Sequence, residues 1–281
     1  MSTPILEHLS PPALAEAADA NFVTHAGWVQ GRLPGMRVDA RGDLVTIDSG
    51  VPCDTFNFVC RARLDPERAP DRIRQAIDGF RRHARPFSWW VGPADRPADL
   101  GERLVAAGLR RAETELAMAV DLDALRPAEL GPGGLRIERV DTEAGLRAFA
   151  AINAANWMPP DPDVIQFYAR AARLLLSPEC PLRFHVGYLG DEAVATAELT
   201  AGGGVVGLYN ISTRAAYRRR GIGTALTLRP LLDARDEGYR AAVLQAAPEG
   251  VGVYERVGFQ PFGDITEYQP GEGWARGGGP A

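Results

Sequence analysis

Residues 215–226 read AAYRRRGIGTAL: three consecutive cations, Arg218, Arg219 and Arg220, then Gly221 and Gly223, then an apolar, helix-forming run. A helix N-terminus exposes backbone N–H groups without partners and carries a partial positive charge. Arginines there have the wrong sign, at a cost of about 0.3–1 kcal/mol each when exposed. An anion removes the conflict. Phosphate oxygens accept from the bare amides while guanidinium groups offset their charge. Gly221 and Gly223 lack the Cβ atoms that would hold a diphosphate away from the backbone. The competing reading is a tight turn with solvated arginines, in a chain whose basic residues are all arginine. Two familiar phosphate loops do not fit: a Walker loop needs a lysine, and a dinucleotide fingerprint needs a third glycine where Leu226 stands.

The elements around this turn follow from periodicity. VVGLYNIST before it reads as a strand, AAVLQAA after its helix as another, then EGVGVYERVG as a helix and FQPFGDITEYQ as a last strand. Upstream, LRIERV (135–140) is a strand, 143–157 a helix using Leu146, Phe149 and Ile152, and PDVIQFYARAARLLLS a second helix. RFHVGYLG and EAVATAELT complete a run of strands joined by Gly-Asp and Gly-Gly-Gly turns. The first half shows a strand at TFNFVCRARL (55–64), a helix with Ile73, Ile77 and Phe80 on one face, a strand FSWWV, a helix ending at Gly108 and a long strand RRAETELAMAVDL. Residues 10–50 give only weakly amphipathic stretches broken by Pro and Gly. FSWWVGPADRPADLGERLVAAGL and AVLQAAPEGVGVYERVGF repeat one pattern of strand, loop and helix, which suggests two copies of one α/β unit. The Pro- and Gly-rich stretch at 123–134 separates them. Expected boundaries are a first domain at 1–125, a linker at 126–134, a second domain at 135–270 and a disordered tail at 271–281.

Composition narrows the partners. A net charge of −5 argues against a nucleic-acid binder and suits a cationic small-molecule acceptor. No run of about 20 apolar residues is long enough to span a membrane, and the N-terminus lacks the basic region of a signal peptide. Three cysteines without metal-like spacing point to a reduced, cytoplasmic setting and to no metal. His8, His25, His83 and His185 are scattered, and each reads as structural.

The pattern R-x-x-G-x-G from Arg218 to Gly223, after a strand and with VYERVGF one strand and one helix later, resembles the acetyl-CoA signature of the GCN5-related N-acetyltransferase (GNAT) superfamily. The resemblance covers residues 135–270 in the family's order of elements. The two-copy layout resembles tandem GNAT proteins of the mycothiol synthase type. It implies an α/β fold of two GNAT-like domains, each a mixed, mostly antiparallel sheet flanked by helices, the first degenerate and structural. It also implies acetyl-CoA as acyl donor, with its pantetheine arm along Ile211, Ser212 and Thr213. The diphosphate would then meet Arg218, Arg219, Arg220, Gly221, Ile222, Gly223 and Thr224.

The reaction implied is acetyl transfer to a primary amine of an unidentified small-molecule or peptide acceptor. Tyr254 occupies the family's general-acid position, and a tyrosine of pKa roughly 10 can protonate a thiolate whose thiol has a pKa near 8.5. The degenerate copy has Leu104 there. Glu198, on a strand between Ala197 and Leu199, can take the ammonium proton directly or through water; Asn210 and Tyr209 can orient such a water instead. Two departures stand out. Ala247 replaces an asparagine often found seven residues before the tyrosine, and Pro230 should kink or shorten the helix after the arginines. For a small amine acceptor, Trp157, Asp161 and Asp163 in NWMPPDPD are candidate contacts, with Asn210. They compete with a plain Pro-rich loop and capping aspartates. The rival function is a non-catalytic acyl-CoA-binding module. A nucleotide-phosphate binder, with which ATP would compete for CoA, is a third. Monomer and homodimer both remain open.

Overall fold

The computed structural model describes residues 4–126, 131–271 and 274. Part of the expected linker, 127–130, and most of the expected tail, 272, 273 and 275–281, lie outside those residues. The chain divides into two compact units, and each is assembled from two stretches. One comprises Met1–His25 and Met118–Phe262, the other Ala26–Ala117 and Gly263–Ala281. The single boundary at 126–134 is therefore not where the compact units part, because the N-terminal helix joins the later unit and the last strand runs into the earlier one.

In the 26–117/263–281 unit, β1 (Arg37–Asp39), β2 (Val45–Asp48) and β3 (Phe58–Cys60) form antiparallel neighbours, and β4 (Ser88–Val91) runs parallel to β3. β11 (Gln260–Pro270) pairs antiparallel with β4 and is followed in the sheet by β5 (Leu109–Asp121). β1 and β2 lie where the sequence shows no strand, being too short for alternation to be read. β3 is shorter than the ten-residue run predicted. The buried Asn57 side chain ties the preceding loop together, donating to the carbonyls of Val51, Cys53 and Pro86 and accepting from Ser49, and Arg61 turns the chain with φ 51°. α2 (Ala69–Arg81) buries Ile73, Ile77 and Phe80, and α3 (Leu100–Ala106) buries Leu100 and Leu104, in one core with Phe87 and Trp89.

In the other unit the strand order is β5, β10 (Ala241–Ala246), β9 (Val205–Thr213), β8 (Glu192–Gly202), β7 (Leu182–Leu189) and β6 (Leu135–Arg139). β6 to β9 are antiparallel, whereas β10 is parallel to β9. Both units thus carry mixed, mostly antiparallel sheets. α4 (Glu143–Ala154) and α5 (Pro162–Leu175) cover one face, where Asn153 of α4 donates to Thr196 of β8. α6 (Ile222–Asp236) covers the opposite face through Ile222 and Leu226, packed on Val194, Ala195 and Ala197. Pro230 does not shorten α6: the helix continues for fifteen residues, held by buried Leu226, Leu228, Leu231 and Ala234 on both sides of the proline. α7 (Val251–Val257) ends at Gly258, φ 112°.

α1 (Pro11–Gly27) is one continuous helix where only broken stretches were expected. Its docking on the β8–β9 hairpin depends on glycine. A Cβ at Gly203 would overlap the Ala17 carbonyl, and one at Gly207 would overlap the Asn21 side chain. Fully buried Asn21 donates to the carbonyls of Thr200 (2.9 Å), Gly202 (2.9 Å) and Val205 (3.3 Å) and accepts from Tyr209 Oη (2.8 Å). No helix among the described residues is long and apolar enough to cross a membrane.

Candidate active site

The parallel pairing of β9 with β10 is recorded at Val206–Ala242, Gly207–Val243 and Leu208–Leu244, while β9 runs on to Thr213. Along that stretch, which pairs with β8 but lies past the β10 pairs, Asn210 takes φ 50°, and the β8–β9 register shifts beside it. A cavity of about 800 Å³ occupies this end of the unit. Ile211, Ser212 and Thr213 of β9 form one wall, and Gly250, Val253 and Tyr254 at the start of α7 form another.

The N-terminus of α6 faces the same cavity. Gly221 caps the helix with φ 78°, a left-handed conformation that glycine adopts without penalty, and supplies no side-chain cap. The first helical bond runs from Ala225 N–H to the Gly221 carbonyl, so the N–H groups of Ile222, Gly223 and Thr224 have no acceptor within the helix. There is no acidic side chain in the first turn, and nothing lies within 4 Å of a Cβ built at Gly223. Bare amides, open space and cations fit an anionic ligand, and an 800 Å³ cleft bounded by the end of β9 past its β10 pairs fits an extended arm beside it.

Of the ten residues expected at the cofactor, nine line the cavity: Ile211 to Thr213, Arg218, Arg219, and Gly221 to Thr224. Arg220 does not; its guanidinium stands over the Tyr217 ring at 5.5 Å. Arg218 Nε donates to the Thr213 carbonyl at 3.0 Å, fastening the turn to the end of β9. Arg219, at φ 63°, bends the chain into the helix. Tyr254 shares the cavity, its ring 5.9 Å from that of Phe259. The sequence singled out neither Asn156, whose Oδ1 accepts from Ser212 Oγ at 2.9 Å inside the cleft, nor Arg256 and Glu249 on its rim. Nothing in their local spacing marks them.

The acceptor-side candidates are not brought together in the same way. Asp161 caps α5, accepting from the Asp163 N–H at 2.8 Å, and Trp157 is 43% exposed; none of Trp157, Asp161 and Asp163 lines the cavity. Glu198 is 1% exposed and sits on the face of β8 turned towards α1, α4 and α5. Its Oε1 is 2.6 Å from His25 Nδ1 and accepts from Thr200 Oγ1 at 2.7 Å; its Oε2 accepts from Asn210 Nδ2 at 2.9 Å. Asn210 is thus engaged with Glu198 and, at 3.4 Å, with Tyr168 Oη. Burial works to raise the Glu198 pKa, but the His25 charge and the hydrogen bonds from His25, Thr200 and Asn210 outweigh it, leaving the carboxyl below its usual range. His25, read from the sequence as structural, is the histidine in contact with that carboxylate.

Residues 122–250 match the family model described as an acetyltransferase (GNAT) domain. Among solved structures, the chain is similar to a GCN5-related N-acetyltransferase from Kribbella flavida, with 22% identity, a TM-score of 0.69, and coverage of 92% of this chain and 98% of that one. It is also similar to a tandem GNAT protein from the clavulanic acid biosynthesis pathway (13% identity, TM-score 0.60), over 99% of this chain and 98% of that one. A GCN5-related N-acetyltransferase from Sphaerobacter thermophilus is 17% identical at TM-score 0.57, covering 92% and 91%. At these identities the likeness is one of fold, and it extends over both halves of the chain. No curated protein matches it.

Proposed function

Residues 122–250 match the model of a GNAT acetyltransferase domain, and from that premise we propose that the protein is an acetyl-CoA-dependent N-acetyltransferase acting on a primary amine of a small-molecule acceptor. One observation carries the reading: the uncapped α6 N-terminus, the end of β9 past its β10 pairs and Tyr254 all face one cavity. In this reading the amides of Ile222, Gly223 and Thr224 receive the diphosphate, with Arg218 and Arg219 offsetting its charge. Ile211 to Thr213 run alongside the pantetheine arm. When bound, acetyl-CoA supplies an acyl group activated as a thioester. Tyr254 holds the proton destined for the departing sulfur.

Titration calorimetry with acetyl-CoA and thiol release in the presence of spermidine, glucosamine, kanamycin and glycine amide test the proposal. Wild type should bind acetyl-CoA and release thiol with an amine; Tyr254→Phe should keep the binding and lose about 10²–10⁴-fold in turnover. Absence of binding at millimolar acetyl-CoA would sink it. The sealed, fully engaged carboxylate of Glu198 favours one alternative, a non-catalytic acyl-CoA-binding module. That module predicts binding without thiol release on any amine.

A further inference from the structure

The Glu198 carboxylate has no route to an amine of its own, since both oxygens are occupied and buried. The atom that reaches outward is on the ring beside it. Glu198 is ionised and so carries no proton, which puts the proton of the 2.6 Å contact on His25 Nδ1. Whenever the ring is neutral, Nε2 is then the atom that holds the lone pair. It has no hydrogen-bond partner among the described residues and is not sealed from solvent, the His25 side chain being 18% exposed.

The ring is also held in place. Tyr209 stacks on it with centroids 3.8 Å apart and planes 6° from parallel. Asn21, one turn earlier on α1, locks the Tyr209 hydroxyl and the ends of β8 and β9. The groups facing the ring are Glu198 from β8, Tyr209 from β9 and Phe22 from α1, with Tyr168 of α5 beyond Asn210. Asn210, bonded to Glu198, immediately precedes Ile211, which lines the cleft.

We propose that His25 is a catalytic residue whose Nε2 takes the proton of the acceptor ammonium, with Glu198 as its positioning residue. This rests on the acetyl-transfer reading above. The ammonium gives one proton to Nε2, which passes it to solvent. The freed lone pair forms the C–N bond at the thioester carbonyl carbon, and the C–S bond breaks. The sulfur takes the Tyr254 hydroxyl proton, and the surplus proton on the new amide nitrogen restores that hydroxyl. Amide, thiol and one released proton balance the step.

The experiment is the pH dependence of kcat/KM by thiol release, with whichever of spermidine, glucosamine, kanamycin and glycine amide wild type turns over. His25→Gln keeps a donor for Glu198, and its acetyl-CoA binding by calorimetry should match wild type. Its kcat/KM at pH 7 should fall at least ~100-fold and recover towards wild type as pH rises and the amine arrives already neutral. Glu198→Gln should move the acidic limb to lower pH, because the imidazolium loses its counter-charge, while His25→Gln should abolish that limb. If His25→Gln is as active as wild type, or is depressed by one constant factor at every pH, the proposal is overturned and the acetyl-transfer reading stands. If wild type releases no thiol with any amine, both fall together.

Discussion

The delivery of His25 depends on α1, and Asn21 is the residue to remove. It is fully buried and makes four hydrogen bonds, three from Nδ2 to hairpin carbonyls and one to the Tyr209 hydroxyl. Asn21→Ala takes one hydrogen-bond partner from the hydroxyl and one from each hairpin carbonyl. A buried group left unsatisfied costs about 1–3 kcal/mol, so the loss should be about 2–5 kcal/mol, or a Tm lower by about 5–15 °C in a unit of this size. Equilibrium urea unfolding of Asn21→Ala, Tyr209→Phe and the double variant measures it. The coupling energy between the two sites should be about 1 kcal/mol, that of a neutral hydrogen bond. Thiol release should drop in Asn21→Ala while acetyl-CoA affinity holds, since no cleft residue comes from α1. A loss below about 0.5 kcal/mol, or strictly additive variants, would refute the anchoring role.

Gly223→Asp separates fold from ligand: an acidic side chain in the first turn should stabilise α6 by about 0.3–1 kcal/mol, yet acetyl-CoA affinity should fall at least about tenfold by charge repulsion. Calorimetry beside a melting curve reads both, and unchanged affinity would count against the diphosphate site. Stability should also depend on pH from two sides. Burial, then Glu113 and Glu267, raise Glu115 to about 7; the folded state therefore binds more protons than the unfolded one above pH ~4.5, and stability falls as pH rises through 7. Glu115→Gln should recover roughly 3 kcal/mol at pH 8. Burial lowers His185 to about 4, so the unfolded chain gains its proton first and stability falls as pH drops from 6.5 towards 4. His185→Phe should flatten that limb in pH-dependent melts; an unchanged slope would place the titration elsewhere.

The phosphate turn was legible because its residues are contiguous and its chemistry is local. Arg218 to Thr224 define a helix entrance that contradicts the helix dipole, and that conflict survives without coordinates. The proposed base was not legible in the same way. Glu198 stood out as a carboxylate on an apolar strand, but its partner His25 lies 173 residues away. That histidine also rides a helix that buries small and polar residues around its axis, Ala15, Ala17, Asp19 and Asn21, beside the apolar Leu14 and Phe22. Such a helix leaves no 3.6-residue signal. The Gly-Gly-Gly of 202–204 read only as a hairpin turn, although it also clears the space into which α1 packs. Trp157, Asp161 and Asp163 show the converse: residue types suited to an amine, two of them engaged in starting α5.

The two halves carry the same crossover and give it opposite chemistry. α2 joins the parallel strands β3 and β4 as α6 joins β9 and β10. Ahead of α2, however, Asp65 Oδ1 accepts from the N–H groups of Glu67 (2.9 Å) and Arg68 (3.2 Å); Pro70 removes another donor, and Asp71 places a carboxylate in the first turn. That helix entrance is already supplied with negative charge, so a diphosphate there would meet carboxylates instead of bare amides. One helix further on, Leu104 is fully buried in the core where the later copy turns Tyr254 into its cleft. Acetyl-CoA should therefore bind with a stoichiometry of about one per chain, and Gly223→Asp should remove that single isotherm without exposing a second. A second site of comparable affinity would mean that a carboxylate-capped entrance can take the ligand, and bare amides would no longer explain why the α6 turn does.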